Sequence, residues 1–305
     1  MKKLAIGVDI GGTRTKIGLV DLNAGTVIKS IISLTEKKSA KAFESAIDSA
    51  FFQLQELAGD EADRLNGIGF GVPSFVMENG IVDSTYGFLE FMEDYPLAEI
   101  IEQKFGLPCR ADNDARIVAL GEALYGEGRD AKRMLMLTLG TGLGLGFTVN
   151  GKLPEPLPYA HMGGHMTITQ NEVKCYCGKT GCLESLVSAT GIVDAARRAG
   201  WKKKQDLPIT AEAIFQTAAE GDSVARSVIQ EWLMYLKTGI DNYINIYAPD
   251  SIILGGGVAN ALKDYIPFLE EGHLLRPFKN YHAKISISTL QENAGILGSA
   301  ALFVR

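Results

Sequence analysis

The chain has 305 residues, of which 46% are hydrophobic and 22% are charged, so its composition is that of a globular protein and not of a disordered one. A chain of this length usually divides into two domains. The 30 basic and 36 acidic residues give a net charge of −6, which supplies no positive field for a nucleic-acid backbone, and we expect no nucleic-acid partner.

The first half of the chain predicts strands in alternation with helices. The predicted strands span residues 4–9, 16–22, 24–34 and 66–73. The predicted helices span residues 40–57 and 98–105. The first of these helices has apolar residues on one face, at Phe43, Ile47, Ala50, Phe51 and Leu54.

A similar order recurs in the second half. Strands are predicted at 134–139, 147–153 and 251–254, and helices at 211–219, 222–247 and 294–303. Asp222 is the expected N-cap of the long helix, and Pro249 is expected to stop it. Three strands run into glycine turns, which predicts an α/β protein made of duplicated halves that face each other across a cleft.

We predict a boundary near Ala111. The first domain would comprise residues 1–112, completed by a C-terminal helical segment, 291–305. The second would comprise residues 113–290 and carry a cysteine-containing loop, 161–184.

The sequence shows neither a secretory signal peptide nor a membrane-spanning segment. The apolar stretch behind the basic N-terminus ends at Asp9, which is too short for a signal peptide. The longest uncharged run, residues 134–151, contains five glycines and is not apolar enough to span a bilayer. We therefore predict a cytoplasmic protein with no membrane segment.

The first glycine turn, Gly11-Gly12-Thr13, lies between two strands and so lacks the strand-to-helix context of a Walker A or dinucleotide motif. Its backbone amides and the Thr13 hydroxyl could bind a phosphate, and Asp9 could hold Mg²⁺ through water. The alternative is a tight hairpin whose glycines only supply positive φ.

Two further glycine turns extend this pattern. Gly140-Thr141-Gly142 would bind the same polyphosphate from the other side. Gly255-Gly256-Gly257 would offer a bare backbone surface to an adenine or ribose, or would form only a closely packed strand-to-helix turn.

Asn113 and Asp114 begin a predicted helix. Both residue types cap helices well, and capping is one interpretation. In the other, Asp114 accepts the proton of an attacking hydroxyl during phosphoryl transfer, and Asn113 binds a neighbouring hydroxyl. The helix N-terminus is expected to keep Asp114 ionised at neutral pH.

One histidine and three cysteines have the spacing of a structural zinc site, at His165, Cys175, Cys177 and Cys182. A thiol redox role competes with this interpretation, although C-x-C is not the usual redox spacing. Glu184 either points a carboxylate toward the site that this loop borders or is a solvated acid at a helix start. The remaining Cys109 is most simply a small buried residue. His161 is either an ordinary loop histidine or, given its neighbours in the sequence, a residue close to the site.

The motifs DIGGTRTK, GVPS, ADNDAR, LGTGLGLG, GHM, CYCGKTGCLES and IILGGG, in this order, resemble those of sugar kinases of the ROK family (repressors, open reading frames, kinases) over nearly the whole chain. The resemblance implies a two-domain actin-like (ribonuclease H-like) sugar kinase fold with an interdomain cleft. It further implies ATP as the phosphate donor, Mg²⁺ as the accompanying ion, a structural Zn²⁺ and assembly as a homodimer. It also implies that Asp114 is the base and that Asn113, His165 and Glu184 contact the sugar, with Ser74 close to it.

Three positions depart from the family pattern. Met162 replaces a glutamate that usually binds sugar hydroxyls, Ser74 replaces a glycine, and Tyr86 stands in a segment that usually contacts the sugar. Family regulators carry an added helix-turn-helix, which we expect to be missing because the first strand begins at Leu4. We predict a kinase for the primary 6-hydroxyl of a hexose or N-acetylhexosamine, with plain glucose doubtful as the preferred substrate. The alternative is a catalytically weakened sugar-sensing protein.

Overall fold

The computed structural model describes residues 3–59, 64–84, 89–154, 159, 162–201, 209–271 and 280–304. The chain divides into two compact units. The first unit comprises Met1–Asp130, Gly146–Ala160 and Leu290–Arg305, and the second comprises Ala131–Leu145 and His161–Thr289.

The first unit contains a mixed sheet of five strands. In chain order these are β1 (Leu4–Ile10), β2 (Arg14–Asp21), β3 (Thr26–Leu34), β4 (Leu65–Val72) and β8 (Cys109–Asn113). Their order in the sheet is β3-β2-β1-β4-β8. The first three strands are antiparallel, whereas β4 and β8 run parallel to β1. Three short strands form a separate sheet: β5 (Phe75–Val76), β6 (Ile81–Asp83) and β7 (Tyr95–Pro96).

Helix α1 (Ala40–Ala58) confirms the sequence prediction closely. Its buried side chains are those expected from the apolar face: Phe43, Ile47, Ala50, Phe51 and Leu54. Ser39 begins the helix, and its hydroxyl accepts a hydrogen bond from the amide of Ala42 at 3.2 Å. These side chains join the core between the helix and the sheet, together with residues of α2 (Leu97–Phe105).

The C-terminal helix α9 (Ala294–Ala301) is fully buried in the first unit. It is rich in small residues, and the strands below it have glycines where it approaches most closely. A Cβ at Gly69 of β4 would lie 1.8 Å from the carbonyl oxygen of Ser299, and one at Gly7 of β1 would lie 2.0 Å from that of Ile296. The helix therefore packs directly on the backbone of the sheet.

Helix α3 (Asp114–Tyr125) packs against α9 in the same manner. A Cβ at Gly298 would lie 1.9 Å from the carbonyl oxygen of Ile117, and one at Gly121 would lie 2.7 Å from that of Ala294. This packing accounts for the difference between the observed units and the predicted boundary near Ala111. The first unit continues through α3 to Asp130 and takes up Gly146–Ala160 as well.

Replacement of Gly69 by alanine is expected to lower the free energy of unfolding by about 3 kcal/mol or more, because the added methyl group would meet rigid backbone. Chemical denaturation monitored by circular dichroism measures this change. Gly12→Ala is the matched control, since no described atom lies within 4 Å of a Cβ at that position and its stability should be unchanged. Equal stability of the two variants would contradict the close packing of α9.

The second unit is built on a four-stranded sheet, whose order is β10-β9-β11-β12. The strands are β9 (Arg133–Leu139), β10 (Leu143–Val149), β11 (Ser251–Gly255) and β12 (Lys284–Ile287). Strand β11 is parallel to both β9 and β12. The sequence placed a glycine turn over residues 140–146, but β10 already begins at Leu143, so the turn is limited to residues 140–142.

The helices of the second unit are α4 (Leu183–Val187), α5 (Ala189–Arg198), α6 (Ala211–Ala219), α7 (Ser223–Tyr247) and α8 (Ile266–Glu270). Helix α7 begins as predicted, because the carboxylate of Asp222 accepts a hydrogen bond from the amide of Ala225 at 2.8 Å. It ends at Ala248, which has a left-handed backbone and precedes Pro249. In the described ranges, no helix combines the length and the apolar character that a membrane crossing needs.

Candidate active site

The first glycine turn connects β1 to β2 and is tied down by Thr35. The Thr35 hydroxyl donates to the carbonyl oxygen of Gly11 at 2.6 Å, and the Thr35 amide donates to the carbonyl oxygen of Thr13 at 3.0 Å. The side chain of Thr13 is exposed at the tip. The turn therefore has a fixed backbone and an accessible hydroxyl.

Asp9 lies on β1 opposite Lys16 of β2, with its carboxyl group against the first turn of α9. A Cβ at Gly295 would lie 2.3 Å from the Asp9 carboxyl carbon, so glycine at this position makes room for the acid. Burial raises the pKa of Asp9, and the positive charge of Lys16 opposes this rise. Gly295 was not identified from the sequence, because the approach of α9 to β1 is a tertiary contact.

The second glycine turn is held by α5 and by the side chain of Glu184. The amide of Ala189 donates to the carbonyl oxygen of Gly140 at 2.8 Å, and the Thr190 hydroxyl donates to that of Thr141 at 3.0 Å. The amide of Leu143 donates to the carboxylate of Glu184 at 2.9 Å. Thr141 itself is exposed, as Thr13 is in the first turn.

Three glycines of these turns have no packing reason to be glycine. A Cβ at Gly12, Gly140 or Gly257 would have no described atom within 4 Å, and none of the three has a positive φ. The interpretation that the first turn needs glycine only for positive φ is therefore wrong, because Gly11 does not have one either. Small residues at open turn positions suit the close approach of a ligand to the backbone.

The third turn combines both interpretations made from the sequence. Gly256 has a φ of 85°, and a Cβ there would lie 2.5 Å from the carbonyl oxygen of Leu139. A Cβ at Gly255 would lie 2.4 Å from the end of the Met136 side chain. Contact with rigid backbone and a positive φ thus account for Gly256, whereas Gly255 meets only the end of a flexible side chain and Gly257 is open.

Asn113 is the N-cap of α3, as one interpretation of the sequence held. Its side-chain oxygen accepts hydrogen bonds from the amides of Ala115 and Arg116, at 3.0 and 3.3 Å. Its side-chain nitrogen donates to the carbonyl oxygen of Ser74 at 3.2 Å. The hydroxyl of Ser74 is 3.1 Å from that of Ser84, so both groups of Ser74 are engaged within the first unit. The side-chain amide of Asn113 therefore links the start of α3 to the segment that carries Ser74.

Asp114 follows the cap, and its carboxylate accepts a hydrogen bond from the amide of Ala115 at 2.8 Å. Burial, and after it the negative charge of Asp9, raise the pKa of Asp114 to about 7, against the lowering effect of hydrogen bonds from Ala115 and Asn113. The expectation that the helix N-terminus keeps Asp114 ionised at neutral pH is wrong, because burial and Asp9 outweigh the helix terminus. The carboxyl group titrates near neutral pH instead.

The predicted zinc ligands converge in the second unit. The ligand atoms of His165, Cys175, Cys177 and Cys182 all lie within 4.8 Å of one another. Nδ1 of His165 is 3.5 Å from the sulfur of Cys175, and the sulfurs of Cys177 and Cys182 are 3.7 Å apart. All of these thiols are free. Three sulfurs and one imidazole nitrogen are the donor set of a closed tetrahedral zinc site, so these residues fit the ion.

Glu184 connects the cysteine cluster to the second glycine turn. One carboxylate oxygen accepts from Leu143, and the other lies 3.9 Å from Nδ1 of His165. Its side chain is only 12% exposed, so the interpretation of Glu184 as a solvated acid is wrong. The chain thus brings His165 and Glu184 together.

Tyr176 was missed in the sequence, although it lies between two predicted ligands. Its hydroxyl is 3.2 Å from Nε2 of His165, and its ring meets the imidazole edge to face. The hydroxyl also lies close enough to the carboxylate of Glu184 for the two groups to interact electrostatically. The C-x-C spacing drew attention to the sulfurs and not to the residue between them.

The other residues discussed from sequence carry less information. Cys109 is buried in β8 as predicted, and burial raises the pKa of its thiol to about 12. Met162 is 39% exposed. His161 and Tyr86 lie outside the described residues.

The strand order of the first unit, with a glycine hairpin between antiparallel β1 and β2 and parallel strands beyond, defines a protein of the actin-like, ribonuclease H-like α/β class. A ROK glucokinase from Streptomyces griseus, solved with glucose and AMPPNP, has the same fold with a TM-score of 0.80, at 28% identity over 98% of each chain. The ROK family profile matches residues 5–305. The chain belongs to the ROK family.

Curated relatives within this family differ in activity. A glucokinase from Halalkalibacterium halodurans is 33% identical over 97% of this chain and 94% of its own length. The DNA-binding transcriptional repressor Mlc of Escherichia coli is 26% identical over 94% of this chain and 72% of its own length. The fold class and the family expected from the motifs are therefore confirmed, and the family includes both sugar kinases and repressors.

Proposed function

We propose that this protein is an ATP-dependent kinase that phosphorylates the primary 6-hydroxyl of a hexose or N-acetylhexosamine. The observation that carries the proposal is Asp114, a carboxyl group at a helix start whose pKa of about 7 suits a general base at neutral pH. The kinase relatives and the open glycine turns support it.

In the proposed reaction, the Asp114 carboxylate accepts the proton of the sugar hydroxyl as its oxygen attacks the γ-phosphorus of ATP. The new bond joins this oxygen to phosphorus, the bond from the γ-phosphorus to the bridging oxygen breaks, and ADP leaves. Asp9 would hold Mg²⁺, which neutralises charge on the phosphates, because a carboxylate is a preferred ligand of this ion. Catalysis by the protein is then mainly positioning and electrostatics.

The glycine turns are proposed to bind the nucleotide. Amides of Gly11, Gly12 and Thr13 would donate to phosphate oxygens, and so would those of Gly140, Thr141 and Gly142. The third turn, Gly255 to Gly257, would offer its open position at Gly257 to the adenine or ribose.

The sugar contacts are proposed from three side chains. The side-chain amide of Asn113 would contact one hydroxyl, Glu184 would accept from another, and Nε2 of His165 would face a third. Ser74 would contribute by holding Asn113 through its carbonyl oxygen, because its hydroxyl is engaged by Ser84. Zn²⁺ on His165 and the three cysteines would fix the orientation of His165 and of the loop before α4.

Alanine at Gly12 or Gly140 is expected to raise the KM for ATP about tenfold without changing the melting temperature, because the methyl group obstructs a phosphate but meets no described atom of the protein. Steady-state kinetics and thermal melts measure the two effects. Gly256→Ala is the contrasting variant and should lower the melting temperature, because its φ is positive and its Cβ meets Leu139. An unchanged KM in both turn variants would remove these turns from nucleotide binding.

The proposed function is tested by ADP release with ATP and a panel of D-glucose, D-mannose, D-galactose, N-acetyl-D-glucosamine and N-acetyl-D-mannosamine. Turnover with at least one sugar is expected, and D-glucose should not be the best substrate, because Met162 cannot accept a hydrogen bond from a hydroxyl as a carboxylate does.

A sugar-sensing protein without turnover is the second candidate. Met162 favours it, and so does the repressor among the relatives. Calorimetric binding of a panel sugar without ADP release for any of them would support this candidate over the kinase.

A further inference from the structure

The Tyr176 hydroxyl lies against both groups of the second unit to which the proposed function assigns sugar contacts. It is 3.2 Å from Nε2 of His165, with ring centroids 5.1 Å apart, and it lies close enough to the carboxylate of Glu184 for an electrostatic interaction. The side chains of His165 and Glu184 are only 14% and 12% exposed, so they have few other directions in which to meet a ligand. One residue of this chain thus engages both of them.

The directions of these hydrogen bonds follow from the proposed metal site. Nδ1 of His165 faces the sulfur of Cys175, so Nδ1 would be the ligand atom and the ring proton would be on Nε2. Nε2–H would then donate to the Tyr176 oxygen, which leaves the hydroxyl proton of Tyr176 for the neighbouring carboxylate of Glu184. A sugar hydroxyl at the same place would accept from His165 and donate to Glu184 in the same directions.

Tyr176 is free to leave this position. Its side chain is 67% exposed, whereas the neighbouring Cys175 and Cys182 are buried. Rotation about the side-chain bonds of Tyr176 moves its hydroxyl while the backbone stays anchored by the thiols on either side of it. The contact with His165 and Glu184 is therefore reversible without a change in the cysteine cluster.

We propose that the Tyr176 hydroxyl occupies a sugar-hydroxyl position on His165 and Glu184 in the sugar-free protein, and that the sugar binds by displacing it. This rests on the proposed function. A sugar whose hydroxyl satisfies both groups replaces the phenol fully, whereas an epimer that satisfies only one leaves the other buried and unpaired. Tyr176 thereby weakens binding in general and sharpens the choice between epimers.

The test is calorimetric binding of the five panel sugars, without ATP, to the zinc-loaded wild type and to Tyr176→Phe. The variant keeps the ring and loses the competing hydroxyl, so the Kd of the best sugar should fall about three- to tenfold and the preference over its epimers should narrow. Tyr235→Phe is the matched control, because its hydroxyl also contacts a glutamate, Glu231, on α7. That variant should bind sugars as the wild type does.

Nuclear magnetic resonance of the imidazole gives a readout that needs no turnover. In the sugar-free protein, the Nε2–H resonance of His165 should differ between the wild type and Tyr176→Phe, and saturating sugar should abolish most of that difference. Equal or weaker sugar binding by Tyr176→Phe would overturn the proposal even if the wild type phosphorylates a sugar. If neither protein binds any panel sugar, the proposal fails together with the proposed function.

Discussion

Replacement of Asp114 by asparagine is expected to lower kcat about a thousandfold, the size of effect typical for the loss of a general base. Asparagine is nearly isosteric, and its side-chain oxygen can still accept the hydrogen bond from Ala115. The KM values for ATP and sugar should change little. Steady-state kinetics with the best panel sugar measures both quantities, and a variant with near-normal kcat would remove Asp114 from the role of base.

The pH dependence of the wild type belongs to the same prediction. Because the base works only when ionised, kcat/KM should fall as the pH drops below about 7, the pKa of Asp114. Asp9→Asn removes the charge of Asp9 and should lower the pKa of Asp114, so the fall of kcat/KM on the acid side should move to lower pH. Overall activity should also fall, because the proposed Mg²⁺ ligand is lost. If kcat/KM of Asp9→Asn fell at the same pH as that of the wild type, the electrostatic coupling of Asp9 and Asp114 would be contradicted.

Stability provides the control for Asp114→Asn. The pKa of Asp114 is raised in the folded state, so the fold favours the neutral carboxyl, and the stability of the wild type falls as the pH rises from about 4, where the carboxyl of the unfolded chain ionises, to about 7. Asparagine carries no charge at any pH. Its melting temperature should therefore equal or exceed that of the wild type, with a difference that grows as the pH rises from about 4 to about 7 and stays constant above it. A large loss of stability would mean that the kinetic effect reports misfolding.

Replacement of Cys182 by serine is expected to abolish binding of the proposed zinc ion and to raise the KM for sugar about 10- to 100-fold, the range seen when the support of a metal site is lost. Cys182 is fully buried and directly precedes α4, which carries Glu184. Loss of the ion should therefore disturb both His165 and Glu184.

Metal analysis of the purified wild type should find one zinc per chain, with the cluster thiols unreactive until a chelator is added. Cys109→Ala is the matched control and should keep the zinc, because Cys109 lies buried in β8 of the first unit. A zinc-free wild type whose cluster thiols cycle through a disulfide would instead support the redox interpretation. An unchanged sugar KM in Cys182→Ser would separate the metal from the sugar site.

Local sequence patterns were sufficient to predict the elements that are stabilised by contacts between residues close together in the chain. The apolar face of α1 and the Asp222 cap of α7 depend on spacings of three and four residues, and both are confirmed. The cysteine cluster was also predictable, because its ligand spacing is specific. The strand beginning at Leu143 was not, because its glycines look the same in a turn as in a strand.

The remaining features depend on contacts between distant segments. The place of α3 in the first unit follows from its packing on α9, in which Gly121 and Gly298 allow the two helices to touch. The ionisation of Asp114 depends on burial and on Asp9, which lies far away in sequence. The contact of Tyr176 with His165 and Glu184 likewise requires the folded loop.

The central claim is transfer of phosphate from ATP to a sugar hydroxyl, and phosphorus NMR of the reaction products tests it most directly. With its best panel sugar, the wild type should form ADP and a phosphomonoester on the primary carbon in equal amounts, and Asp114→Asn should form almost none. Release of inorganic phosphate in place of a sugar phosphate, or no product with any panel sugar, would contradict the account.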